Sequence, residues 1–303
     1  MPITIRVKSE TGPYYVIMKP LIWIVFFLSL TSIGLSEIIF FSGETPKNDY
    51  ELFKYDTSTS ELTQLTQLKG FISGFDFSED GQKLYFGLLS TMKNGLYELH
   101  LKNGEIKPLL VDQHDNRQPC VIDEGRLIFV SYRSKKESLF LLDLNTMKIE
   151  PFIVLEGYEF SPAISHNKQL LAFVHSENTY EHDGQLYLYN MTTKEMNNLS
   201  GEHFGDYSPS FSPDSQEIIF SSYRERGQQA IFCLDISSGE VEKITPFYGT
   251  TDRFPVFDKD GEWVYFSTLK GKHKIARMKP DGSQREILEV YPNDLNTGSF
   301  LLK

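Results

Sequence analysis

Residues 212–220 read SPDSQEIIF: a polar turn around Pro-Asp, two further polar positions, then an apolar pair closed by phenylalanine. SEDGQKLYF at 78–86 and DKDGEWVYF at 258–266 have the same shape. Asp-Gly supplies the positive φ that a tight hairpin needs, so each segment reads as a turn feeding a strand. The apolar-Phe core recurs six times along the chain, as IIFFSG, LYFGLL, LIFVSY, LAFVHS, IIFSSY and VYFSTL. Aligned on Phe40, Phe86, Phe129, Phe173, Phe220 and Phe266, the spacings are 46, 43, 44, 47 and 46 residues.

Each core is followed by a second strand-like segment, such as LYELHL or IFCLDI, then by a short turn and a third, such as EIKPLL. Five of the six are preceded by a further short strand: SGFDFS, QPCVID, SPAISH, SPSFSP and FPVFDK. Four short strands in about 45 residues is the period of a propeller blade. The first repeat opens at Glu37 without its innermost strand, and the chain finishes in GSFLLK (298–303) with no blade of its own. Placing Phe300–Leu302 inside blade 1 closes the ring and removes the exposed edges of an open sheet. The expected fold is all-β: a six-bladed β-propeller of four-stranded blades over 37–303.

Composition agrees. Alanine, the best helix former, occurs only at Ala163, Ala172, Ala230 and Ala276, while aromatic residues make up 14 % of the chain. The formal charge is −11, and residues 37–303, with 27 basic and 40 acidic side chains, carry −13. Such a surface repels phosphate backbones, and no basic stripe offsets it, so nucleic acid is not an expected partner. Cys120 and Cys233 stand alone and read as small buried apolar residues rather than a disulfide framework or a zinc site.

Residues 1–36 have a different character. Lys19 precedes LIWIVFFLSLTSIGL (21–35), an uncharged run of signal-peptide length with Gly34 and Ser36 at its exit. Met18 would start a complete signal of its own, and a retained membrane anchor is the other outcome. On either, the propeller is expected to be periplasmic or secreted.

The hairpin segments resemble the TolB-type propeller repeat, whose hallmark is Ser-Pro-Asp-Gly, two variable residues, then an apolar pair around Phe. Blade 3 (IDEGRLIF) and blade 4 (SHNKQLLAF) keep the shape with part of the motif, and the Trp-Asp and Gly-His marks of the WD repeat are absent. The resemblance covers 37–303. The α/β domain that precedes the propeller in the family's namesake has no counterpart in these residues. The resemblance implies a binding or scaffold module with a protein or cell-envelope partner.

Within a blade, the turns between strands one and two and between three and four share one face and are minimal here, as at Asp80-Gly81, Asp214-Ser215 and Asp260-Gly261. The opposite face receives the longer loops, where function is more often carried. Three positions before the aligned Pro209, blades 1 to 6 carry Leu295, Ile72, Asn116, Glu159, Asp206 and Asp252. One residue on come Asn296, Ser73, Arg117, Phe160, Tyr207 and Arg253. Polar and aromatic side chains concentrate in blades 3 to 6. With Tyr132-Arg133 and Tyr223-Arg224 in matching loops, they form a candidate channel-mouth binding surface with Tyr and Arg as anchors. Ion pairing within the ring is the other use these side chains can have.

Catalytic motifs are missing: no G-x-S-x-G, H-E-x-x-H, G-x-G-x-x-G or P-loop occurs. The sequence assigns no catalytic residue, metal or cofactor, and a monomeric propeller is expected. The alternative is a propeller glycoside hydrolase or polysaccharide lyase. It would use Glu159, Asp206 and Asp252 as paired acids, or a metal held by His114, His175, His182 and His203.

Overall fold

The computed structural model describes residues 3–7, 14–18, 37–45, 49–90, 94–178, 183–201, 204–224, 228–245, 249–270, 272–288, 290 and 300–302. The chain forms two compact units, 1–36 and 37–303. In the first, strands Ile3–Val7 and Tyr14–Met18 pair antiparallel, Ile3 opposite Met18. The apolar run 21–35 and its exit site lie outside the described residues.

Every regular element described in the second unit is a strand, and these assemble into six four-stranded antiparallel sheets. Blade 1 combines Phe300–Leu302 with Ile38–Glu44, Tyr50–Asp56 and Glu61–Gln64. Blade 2 is Phe71–Phe77, Lys83–Leu89, Gly95–His100 and Glu105–Leu110; blade 3 is Asn116–Asp123, Arg126–Ser131, Ser138–Asp143 and Ile149–Ile153. Blade 4 is Tyr158–Ile164, Leu170–Ser176, Gln185–Asn190 and Met196–Asn198. Blade 5 is Asp206–Phe211, Glu217–Ser222, Ala230–Asp235 and Val241–Lys243; blade 6 is Thr251–Phe257, Val264–Lys270, Lys272–Met278 and Glu286–Leu288. The C-terminal strand closes the ring as its sequence implied, with Phe300 opposite Phe41 and Leu302 opposite Ile39.

The core is a set of hydrophobic layers between blades, because second-strand side chains alternate between the two neighbouring sheets. Phe86, Phe129, Phe173, Phe220 and Phe266 each face the preceding blade and are fully buried. The equivalent in blade 1 is Phe41, not Phe40. Phe41 lies opposite Phe53 and packs on Tyr265 and Ile275 of blade 6, whereas Phe40 turns toward Leu84 and Phe86 of blade 2. A shift of one residue exchanges the two faces of a strand, and two adjacent phenylalanines satisfy both layers.

The innermost strands of blades 2 to 6 share one irregularity. The register slips at the same place in each: between Ile72 and Phe75, Arg117 and Cys120, Phe160 and Ala163, Tyr207 and Ser210, and Arg253 and Val256. At each slip stands a positive-φ residue: Gly74, Gln118, Ser161, Ser208 or Phe254. In blades 3 to 6 the next residue is proline. These are β-bulges on edge strands, and proline is tolerated there because the channel-facing edge has no ladder partner for its missing N–H.

Candidate functional site

The channel-mouth residues divide into a sealed layer and a presented one. In the sealed layer, Asn116, Glu159 and Asp206 are wholly buried and Asp252 is 1 % exposed. Asp206 receives Arg224 through Nε at 3.2 Å and Nη2 at 2.7 Å, and Ser200 Oγ at 2.5 Å. Arg285 grips Asp252 with Nη1 at 2.8 Å and Nη2 at 3.0 Å, and also donates to Thr268 Oγ1 at 2.9 Å. Asn116 accepts from Ser131 Oγ at 2.8 Å and Arg133 Nη2 at 3.1 Å, and Arg133 reaches Asp112 at 3.1 Å. In blade 4, His175 Nδ1 lies 3.2 Å from Glu159 Oε1, while Glu159 Oε2 has no partner among the described residues.

The repeated phenylalanines support these pairs from the other side. Arg133 lies 5.5 Å from the Phe129 ring centre, Arg224 5.2 Å from Phe220 and Arg285 4.8 Å from Phe266. A guanidinium between a buried oxygen and an aromatic face satisfies both its charge and its flat apolar surface. Tyr132-Arg133 and Tyr223-Arg224 therefore split in role: the arginines lock the ring and the tyrosines stay half-buried at its surface. Arg285 was not found from sequence. Its signal is indirect: blade 6 has an acid at Asp252 but no arginine in the loop that matches Arg224, and a buried acid requires a cation from somewhere.

The presented layer holds Arg117, Phe160, Tyr207 and Arg253, all half-buried. Phe160 and Tyr207 stack at 6.1 Å, Tyr223 meets Tyr207 edge-on at 6.2 Å, and Arg117 lies 5.9 Å from the Tyr132 ring centre. Arg117 is paired with Glu137, whose carboxyl is pushed up chiefly by burial and is drawn back by that guanidinium. Burial likewise raises the Tyr207 hydroxyl. Arg253 has no ion-pair partner among the described residues, and its Nε is buried without a hydrogen bond. Leu295 and Asn296, which would complete both rings in blade 1, lie outside the described residues.

Below this mouth is a concavity of about 560 Å³, lined by the innermost strands of blades 2 to 6 from their bulges to the short turns. Phe75, Pro119, Pro162, Pro209 and Pro255 give it an apolar wall. Sequence reasoning placed the site at the long-loop mouth and missed this chamber, although the recurring Gln-Pro, Ser-Pro and Phe-Pro pairs mark its wall. Gln118 Oε1 accepts the Ser161 N–H at 2.8 Å, and Asp76 Oδ2 accepts the Val121 N–H at 2.7 Å, so polar struts cross the blade seams here. Burial pushes the Asp76 carboxyl up to about 6.

The catalytic alternative loses its geometry. Glu159, Asp206 and Asp252 are sealed inside their blades, where no sugar oxygen can reach them. Among the described residues no three His, Cys, Asp or Glu side chains come together as a metal site. His175 is engaged by Glu159, and His182 and His203 lie outside the described residues.

A closed ring of six four-stranded blades, with bulged innermost strands and Ser-Pro-Asp-Gly-like hairpins, defines a propeller of the repeat class anticipated from the turns. Residues 120–295 match the family described as TolB beta propeller domain, and the chain belongs to that family. It is 25 % identical over 257 residues to the Tol-Pal system protein TolB of Francisella tularensis, a match covering 80 % of this chain and 57 % of that protein. It is 24 % identical over 190 residues to a TolB homolog of Chlorobium luteolum, covering 62 % and 42 %. The chain thus spans about half the length of the curated relatives it matches. Among solved structures, TolB from Acinetobacter baumannii superimposes with a TM-score of 0.74 at 15 % identity, over 95 % of this chain and 75 % of that one. Oligogalacturonate lyase in complex with manganese gives 0.57 at 14 % identity, over 82 % and 73 %. At such identities both superpositions speak to the fold alone.

Proposed function

We propose that this chain is an exported, non-catalytic propeller that binds a protein partner of the cell envelope, a component of a Tol-Pal type system, through its long-loop mouth. The observation that carries this is the division of the mouth into two layers. Buried Arg–acid pairs fix the starts of the innermost strands, and on that rigid base Phe160, Tyr207 and Tyr223 form a continuous aromatic cluster flanked by Arg117 and Arg253. Aromatic and arginine anchors on a preorganised surface are what protein recognition uses, since little side-chain freedom is lost on binding. The sealed residues Asn116, Glu159, Asp206 and Asp252 act here as supports rather than contacts. The names of the relatives support an envelope setting, and the charged-then-apolar segment 19–35 supports export into the periplasm or beyond.

A photo-crosslinking residue in place of Tyr207, with a control in place of Gln216 on the opposite face, tests this in intact cells. Tyr207 is expected to capture one envelope protein that Gln216 does not. An Arg117→Ala/Phe160→Ala/Arg253→Ala background should abolish that product. Equal capture from both positions, or an unchanged product in the triple background, would remove this surface from consideration.

A further inference from the structure

A second surface, on the short-turn face, goes beyond that reading. A groove of about 440 Å³ runs outward between blades 3 and 4 and shares Glu79 and Lys168 with the central chamber. Its floor is apolar, from Ile122, Leu141, Phe152 and Met191. Its charged residues are Arg126, Lys168 and Lys194 against Glu79 and Asp123, and Arg126 and Asp123 are already paired at 2.6 Å. The groove is therefore locally cationic on a propeller that carries −13.

Two of those cations stand at left-handed turn positions. Gly81, Lys168, Ser215 and Gly261 occupy the same position of the first hairpin turn in blades 2, 4, 5 and 6. Their N–H groups bond Ser78, Ser165, Ser212 and Asp258 carbonyls, and their φ values are 65°, 62°, 64° and 71°. Glycine is the residue that adopts this conformation without steric cost, and a long side chain there is disfavoured. Lys194, at φ 66°, fills the second turn's slot that glycine takes as Gly104 and Gly239 in blades 2 and 5 and that Met147, at φ 59°, takes in blade 3. Both lysines are exposed and both line the same groove. The Lys168 ammonium has no hydrogen bond among the described residues. Lys194 Nζ donates once, to its own turn's Met191 carbonyl at 2.6 Å.

We propose that this groove binds a short peptide segment that presents one carboxylate between apolar side chains. The carboxylate sits between Lys168 and Lys194, and its apolar neighbours lie on Phe152 and Met191. A polyanion fits less well, because only one carboxylate's worth of unpaired positive charge is gathered here and the surrounding surface repels the rest of such a chain. The apolar floor supplies the contact that a bare anion would not use.

The test exploits the turn geometry. Lys168→Gly/Lys194→Gly places at the first slot the glycine of blades 2 and 6 and at the second the glycine of blades 2 and 5, so it removes both charges while leaving the melting temperature unchanged or raised. Peptides are selected from a phage-displayed random library on the full chain, with depletion on the double-glycine variant, and affinities are read by fluorescence polarisation. Survivors are expected to carry Asp or Glu beside an aromatic or aliphatic residue. They should bind the double-glycine protein about tenfold or more weakly, and Lys168→Arg should retain binding. Survivors without an acid, or equal affinity for both proteins, would overturn the proposal. So would an absence of discriminating peptides. Polyphosphate binding that is lost in the variant, without any discriminating peptide, would replace it with a polyanion site.

Discussion

Replacing Arg224 by methionine removes both guanidinium hydrogen bonds from Asp206 and leaves the wholly buried carboxylate with Ser200 Oγ as its remaining side-chain donor. Methionine keeps an unbranched apolar side chain against Phe220 and Phe232 while removing the guanidinium that lies over their rings, so the change reports chiefly on the loss of charge. Breaking one side of a buried pair costs about 3–5 kcal/mol, because the surviving ion is stranded in a poorly polarisable interior. For a propeller of this size that corresponds to a fall in melting temperature of roughly 10 °C. Asp206→Leu/Arg224→Met removes both charges together and should regain most of the loss, since a well-packed apolar pair is often neutral relative to the ions it replaces. Urea unfolding of the wild type, both single variants and the double variant gives the coupling free energy directly. A loss below about 1 kcal/mol in Arg224→Met, or a double variant as unstable as the sum of the singles, would show that the pair is not a support of the ring.

The Asp76 carboxyl stands at about 6 against an ordinary value of 3.8, so the folded state holds its proton more tightly than the unfolded chain. Its contribution is fully present below pH 3.8 and is lost as pH rises through 6. Stability of the wild type relative to Asp76→Asn should therefore rise by about 1–3 kcal/mol from pH 7 to pH 4.5, as read by urea titrations, and a flat difference would contradict burial of the charge. A Cβ at Gly87 would meet Ser73 Oγ at 2.4 Å and the Arg117 backbone at 2.8 Å. Gly87→Val is thus expected to wedge blades 2 and 3 apart at a cost of about 2–3 kcal/mol, measured by thermal unfolding. Burial raises both thiols, Cys233 to about 12, so native protein should label slowly with a thiol reagent at pH 8 and rapidly once unfolded. Fast labelling of the folded protein at either cysteine would argue against these environments.

The blade count, the four strands per blade and the closing role of Phe300–Leu302 were legible because each rests on local signals repeated several times: turn chemistry, alternation and a fixed period. The register of blade 1 was not. IIFF offers two adjacent phenylalanines, and only contacts with blades 6 and 2 decide which one faces backward. The acids of the channel mouth were found by alignment, but their use was not, because exposure is a property of the assembled ring. Asp206 and Tyr207 are neighbours in sequence, yet one is sealed under Arg224 and the other joins a surface stack. The bulges leave a clear trace in the sequence: proline after Gln118, Ser161, Ser208 and Phe254 is hard to reconcile with a regular paired strand and natural on a channel edge.

The two faces of the ring differ in how they use charge. On the long-loop face, arginines are drawn inward to neutralise buried acids at the starts of the innermost strands, and the surface left over is aromatic, with Arg253 making no ion pair among the described residues. On the short-turn face, aspartates are consumed by the turns themselves. Asp80, Asp214 and Asp235 each accept from backbone N–H groups within their own hairpins, and hydroxyl bonds from Ser212 and Ser237, with those N–H groups, hold Asp214 low and Asp235 down to about 2. The two lysines of blade 4 differ from these acids: they give up local backbone preference and make no ion pair among the described residues. Exchanging Lys194 for glycine alone should therefore leave folding intact, as should Lys168→Gly, and a loss of stability in either would show that the side chain serves its own turn rather than the groove.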